Sequence, residues 1–223
     1  MSIRKVLLTI SILNAVLLGI VISFSEKNIV ATHFGLAGNA DSWGSKWTYL
    51  LFGLIPLVLE FVYLYYRKYS EKKPELQKNK NIEEKTIPII ILLFIAMGWI
   101  FTSVALFGEG DLNNSIYLIT IIFGILMMYI SNFYGKLSQN RWFGIKVPWT
   151  LKDETVWNKT HRLGGYLGIV GGVILVFSGV FGMALSNYYI TGYGFIASMF
   201  FIVIIPIIYS AFLYGKLHPR NKI

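Results

Sequence analysis

Long apolar blocks alternate with short polar intervals along this chain. Six blocks, at about 4–24, 47–66, 87–107, 115–134, 164–186 and 192–214, each approach the ~20 residues of helix that cross a bilayer. The intervals leave no room for a separate soluble domain. Hydrocarbon offers no partner to a stray N–H or C=O, so each block must satisfy its backbone within a helix. The pattern predicts an all-α fold, a polytopic six-helix transmembrane bundle. The first block begins with a basic "SIRK" and so imitates a secretory signal. Its end, "VISFSEKN", lacks a small-residue cleavage pattern, and the reading is a retained signal-anchor helix.

Composition agrees. Charged residues make up 14% of the 223 positions and mean hydropathy is +0.60, whereas soluble chains carry roughly a quarter charged residues. The chain has no cysteine, which excludes disulfides, thiolate metal sites and cysteine nucleophiles. In a soluble protein the net charge of +9 would suggest nucleic acid. Here its placement speaks instead of orientation: eighteen of the twenty Lys and Arg residues fall at the two ends and in the intervals 67–86 and 135–163. Only Lys27 and Lys46 lie in the first interval, and the intervals near 108–114 and 187–191 have none. The positive-inside rule then puts both termini and the two basic loops in the cytoplasm, with the loop at about 25–46 outside. The basic excess is explained by that orientation and by attraction to anionic membrane lipids, and no direct nucleic-acid binding is expected. This gives an N-terminal helical hairpin over 1–70, a cytoplasmic linker over 71–86, solvated or a fraying helical extension, and a four-helix region over 87–223 with an inner motif at 132–165.

Candidate chemistry is sparse. The outward loop, "ATHFGLAGNADSWGSKW", mixes β-like and turn residues and carries His33, Asp41, Trp43 and Trp47. His33 and Asp41 could form an acid–base or metal pair, yet two ligands are too few for a closed zinc site. Glu60 is an ionisable group well inside a block, and an intramembrane acid is by default a functional candidate. It could equally be protonated, or paired with Asn132, Thr102 or Thr120 as structural glue. In the fifth block Gly164, Gly168 and Gly172 recur every four residues and Gly165, Gly172 and Gly179 every seven, spacings that let helices approach closely within the bundle or between copies of an oligomer. "FYGKL" at 133–137 returns as "LYGKL" at 213–217. No H-E-x-x-H, G-x-S-x-G or P-loop occurs. We expect no enzyme, no metal site and no cofactor.

The richest segment is 132–165, "NFYGKLSQNRWFGIKVPWTLKDETVWNKTHRLGG". Thr150 followed by Asp153 has the spacing of a capping box and predicts a helix from about Leu151. Trp157 and His161, four apart, share a face of it. With Trp149 they suit a helix lying at the inner interface with its rings at headgroup level. His161 is a candidate for titration near neutral pH, though a hydrogen-bonded anchor is the plainer reading.

That segment resembles the signature of the SdpI family, bacterial integral membrane proteins of immunity to a secreted peptide toxin. The outward loop is similar to the domain of unknown function that often precedes it. By position the resemblance singles out Asn132, Asn140, Gly144, Pro148, Trp149, Thr150, Trp157, Thr160, His161 and Gly164, with His33, Gly38, Asp41 and Lys46 in the loop. Three positions depart from the pattern: Lys146 replaces an arginine, Val147 a threonine and Ser131 a glycine. Lysine lacks arginine's planar fork. The resemblance implies a six-span plasma-membrane protein that protects against a secreted membrane-active peptide and relays its presence to a cytoplasmic repressor. The alternative from the residues themselves is a small transporter or lipid-handling protein using Glu60.

Overall fold

The computed structural model describes residues 3–35, 38–108 and 114–219. Six of its helices are long and apolar enough to cross a membrane: Arg4–Phe24, Lys46–Ser70, Lys80–Phe107, Ser115–Tyr134, Glu154–Ala184 and Tyr188–Leu217. The all-α polytopic bundle read from the apolar pattern is thus borne out. By contacts the chain divides into two compact units, Met1–Ile116 and Tyr117–Ile223.

The first unit opens with α1 (Ile3–Phe24), followed by an antiparallel hairpin of β1 (Ile29–Phe34) and β2 (Ala40–Ser45). A single 3-10 turn leads into α2 (Leu50–Ser70); α3 (Pro74–Gln77) and α4 (Lys80–Phe107) follow. Of the segment expected as a linker, 80–86 forms the first turns of α4, and α4 packs with α1 and α2. Polar side chains explain this attachment. Asn14 of α1 donates to the carbonyl of Gly53 on α2 (3.4 Å) and accepts from the Trp99 indole of α4 (2.9 Å), interhelical bonds worth about 0.6–2 kcal/mol each in lipid. Beyond the apolar part, Arg67 of α2 and Glu83 of α4 form an ion pair at 3.3 Å with both side chains 2% exposed, and Tyr66 donates to the other carboxyl oxygen at 2.8 Å.

At the opposite end of this unit the hairpin is built into the core. Val30 and Tyr49 are buried with Leu18, Ile22, Ala105 and Leu106, and the Tyr49 hydroxyl donates to the Ala31 carbonyl at 2.6 Å. Lys46 is buried too; its ammonium donates to the Ser25 carbonyl at 2.6 Å, just past the end of α1. A cation there complements the negative pole of the helix.

The second unit contains α5 (Ser115–Tyr134), α6 (Pro148–Lys152), α7 (Glu154–Ala184), α8 (Tyr188–Met199) and α9 (Ile205–Leu217). A π-helical turn, Phe200–Ile204, joins α8 and α9 just before Pro206. Proline has no N–H to continue the ladder, which accounts for the widened turn. The glycines of α7 are used inside this unit. A Cβ on Gly172 would stand 2.6 Å from the Gly124 carbonyl of α5, and one on Gly171 would stand 2.6 Å from Ile202. Seven α7 glycines are buried, so none of these seven is left on an outer face for another copy of the chain.

Exposed apolar side chains such as Leu13, Val58, Phe61, Phe177 and Phe212 cover the helix faces, and in a bilayer these meet lipid. Removing one partner of a buried ion pair costs about 3–5 kcal/mol, whereas replacing both with apolar groups is often neutral. Glu83→Leu alone should therefore lower the thermal unfolding midpoint of the detergent-solubilised protein sharply. Arg67→Met combined with Glu83→Leu should recover most of that loss.

Candidate functional site

Past the end of α5, residues 135–147 have no regular secondary structure and fold against α7 through side chains. Asn140 closes the first turn: its Oδ1 accepts from the N–H groups of Trp142 (2.8 Å) and Phe143 (2.7 Å), and its Nδ2 donates to the Ser138 carbonyl (2.9 Å). Gly144 then takes φ +104°, a conformation L side chains rarely adopt, and a Cβ there would collide with the His161 ring. This close approach lets Ile145 N–H donate to His161 Nε2 at 2.8 Å. His161 Nδ1 lies 2.9 Å from the Trp157 carbonyl. A backbone N–H can only donate and a carbonyl only accept, so Nδ1 carries the hydrogen and Nε2 the lone pair. The Trp157 ring stacks on the imidazole with centroids 3.9 Å apart, and its indole N–H donates to the Leu137 carbonyl at 2.7 Å.

Thr150 forms the second clasp. Its hydroxyl accepts from Val147 N–H at 3.1 Å and lies 2.8 Å from the Ile145 carbonyl, while its own carbonyl accepts from Gln139 Nε2 at 2.7 Å. Pro148 starts α6, where its missing N–H is harmless. Trp149 donates through its indole to Ser210 of α9 at 2.5 Å. The long helix then begins at Glu154, later than the expected start near Leu151, because Asp153 and not Thr150 caps it. Asp153 Oδ1 accepts from Val156 N–H at 2.9 Å and Oδ2 meets His218 Nε2 at 2.8 Å. The Val156 bond first, then that of His218, hold the Asp153 carboxyl below its usual range. The cap therefore contributes above the ordinary aspartate range and is lost as pH falls through the depressed value.

The structure thus brings Asn140, Gly144, Thr150, Trp157 and His161 into one internally bonded knot. The expectation of an interfacial helix with rings at headgroup level is corrected: Trp157 is 0% and His161 1% exposed, buried under the 135–147 segment. Lys146 is exposed and donates to the Trp142 carbonyl at 3.0 Å, a loop contact rather than an anion clamp. Asn132 is exposed on α5, and Thr160 is buried with no hydrogen-bond partner for its hydroxyl. Gln139, Ser210 and His218 were missed by the motif reading. Only the "LYGKL" ending just before His218 pointed to that end of the chain.

In the first unit His33 Nδ1 and Asp41 Oδ1 do meet, at 2.6 Å, across the bulged part of the hairpin. Both are exposed, and among the described residues no group of three His, Asp or Glu could hold a metal ion. His33, Phe34, Tyr49, Phe52 and Phe101 border a groove of about 360 Å³ between the hairpin and the helices. Trp43 and Trp47 are exposed. Glu60 is fully buried on α2, and neither carboxyl oxygen has a hydrogen-bond partner. The pairing with Thr102 is absent, since the Thr102 hydroxyl is also without one.

The fold and these knots define a polytopic membrane protein whose motif residues brace a helix rather than present a reactive group. Residues 136–210 match the SdpI/YfhL protein family and residues 12–59 match a domain of unknown function, DUF1648. Through the former segment the chain is similar to the SdpI/YfhL family. It is also 32% identical over 123 residues to Immunity protein SdpI of Bacillus subtilis (strain 168), a match covering 55% of this chain and 56% of that protein. The chain is therefore matched over little more than half the length of that curated relative. No solved structure matches it.

Gly144→Ala combines an unfavourable φ with a steric conflict at His161, and strained positions of this kind cost about 1–3 kcal/mol. The variant should melt well below the parent in detergent, and Lys146→Ala, which removes only a loop contact, should melt close to it.

Proposed function

We propose that the protein is a non-enzymatic immunity or sensor protein of the plasma membrane, acting against a secreted membrane-active peptide toxin. The identity to an immunity protein carries this reading. The asymmetric placement of lysine and arginine supports an orientation with both termini in the cytoplasm and the hairpin outside. In that orientation the aromatic groove beside His33 and the exposed Trp43 and Trp47 form the peptide-facing surface. The knot at 132–165 is the cytoplasmic scaffold, and a relay to a repressor would use its exposed rim, where Lys146 and Trp142 lie. A relay requires two packings of the bundle that the peptide binds unequally.

A small transporter or lipid-handling protein is the second reading, favoured by the unbonded, buried Glu60. It requires Glu60→Gln to abolish proton-coupled flux in reconstituted vesicles.

Deleting the gene should raise sensitivity to a co-produced secreted peptide, and His33→Ala or Trp43→Ala should weaken protection without lowering the melting point. Equal resistance of deletion and parent strains across a panel of such peptides would contradict the proposal. The chain contains no cysteine, so single replacements report orientation directly. Asn39→Cys should react with a membrane-impermeant reagent on intact cells, and Ser138→Cys should react only after permeabilisation.

A further inference from the structure

The first unit contains more polar groups than the hydrogen bonds already described account for. Glu60 is 0% exposed, and neither oxygen is bonded. The hydroxyls of Ser11 and Tyr63 are likewise buried without a partner. Glu60 and Tyr63 lie three residues apart on α2 and so share a face. Ser11 lies one turn before Asn14 on α1. The bond from Asn14 to Gly53, together with the Arg4 guanidinium 5.9 Å from the Tyr63 ring centre, sets α1 antiparallel to α2. That register brings Ser11 to the stretch of α2 between Gly53 and Glu60.

The charged and titratable groups turned towards this face are Arg4 from α1, Tyr63, Tyr66 and Arg67 from α2, and Glu83 and Glu84 from α4. Both guanidiniums are engaged elsewhere, Arg67 with Glu83 and Arg4 with Glu84, each at 3.3 Å. An ionised carboxylate at Glu60 would thus be desolvated with neither a hydrogen bond nor a bonded cation to offset the cost, and buried acids in that situation neutralise.

We propose that Glu60 is an intramembrane proton-binding site, which holds its proton in the packing seen here. On release the carboxyl O–H bond breaks, the electron pair stays on Glu60 and the proton passes to water. The carboxylate then requires partners that this packing withholds: the free hydroxyls of Ser11 and Tyr63, and Arg4 turned away from Glu84. Proton loss is therefore coupled to the packing of α1 on α2, the two helices that flank the hairpin. One carboxyl and two hydroxyls are few oxygens for a hard metal cation, which takes six or more. The inference goes beyond the immunity reading and does not rest on it.

Infrared spectroscopy of the full chain in lipid bilayers tests it. Wild-type protein at neutral pH should show a protonated-carboxyl C=O band that shifts in D2O. That band should be lost in Glu60→Gln, move in frequency in Glu60→Asp, disappear on raising the pH, and be unchanged when sodium replaces potassium. Gln matches the neutral acid in shape and charge, so Glu60→Gln should melt close to the parent. A Glu60-dependent carboxylate band at neutral pH would overturn the proposal, as would a protonated band that sodium removes, which would mark a cation site. Glu60→Asp and the wild-type titration keep the test decisive should Glu60→Gln not fold.

Discussion

The bond from Ile145 N–H to His161 Nε2 joins an irregular thirteen-residue segment, 135–147, to the longest helix of the protein. Away from water an unpaired N–H costs free energy that helix packing alone does not recover, so irregular backbone near a membrane needs side-chain partners. His161 supplies one with its lone pair, and Trp157 fixes which nitrogen carries it. Gly144 lets the backbone come near enough, and Asn140 and Thr150 close the turns on either side. The residue types at 144, 157 and 161 follow from that arrangement. A side chain at 144 blocks the approach, an apolar residue at 161 orphans Ile145, and a smaller ring at 157 removes both the stack and the bond to Leu137.

The same logic governs the first unit. Lys46, the Tyr49 hydroxyl, Asn14 and the Arg67–Glu83 pair are buried polar groups with specific partners, and each ties two elements together. The Lys46 and Tyr49 bonds anchor the hairpin on the helices beside the groove. Glu60 breaks the rule in the midst of these satisfied groups. Among the described residues Lys46, Arg67 and Glu83 are also buried and charged, and each has a bonded partner where Glu60 has none.

The six spans and the family resemblance were legible because they are local: apolar length marks a crossing, and the Gly-Ile-Lys-Val-Pro-Trp-Thr run with its later Trp and His is a contiguous signature. The β-like residues of the loop at 25–46 likewise declared themselves. What escaped were pairings between distant positions. Asn14 and Trp99 are 85 residues apart, Asp153 and His218 65, and nothing in either neighbourhood announces the other. The burial of Trp157 and His161 was missed for a related reason. A helix periodicity shows which residues share a face, but the segment that covers that face is irregular and has no period. Thr150 has the spacing of a cap, yet its hydroxyl is taken by Ile145 and Val147, which leaves the cap to Asp153.

The 132–165 motif is a brace built on a neutral imidazole with a defined tautomer. Nitrogen-15 NMR of histidine-labelled protein in bilayers, with His161 assigned by its loss in His161→Gln, reads that state directly. Near neutral pH His161 should show a protonated Nδ1 and an unprotonated, hydrogen-bond-accepting Nε2. A doubly protonated ring, or a hydrogen on Nε2, would leave Ile145 without its acceptor and contradict the brace.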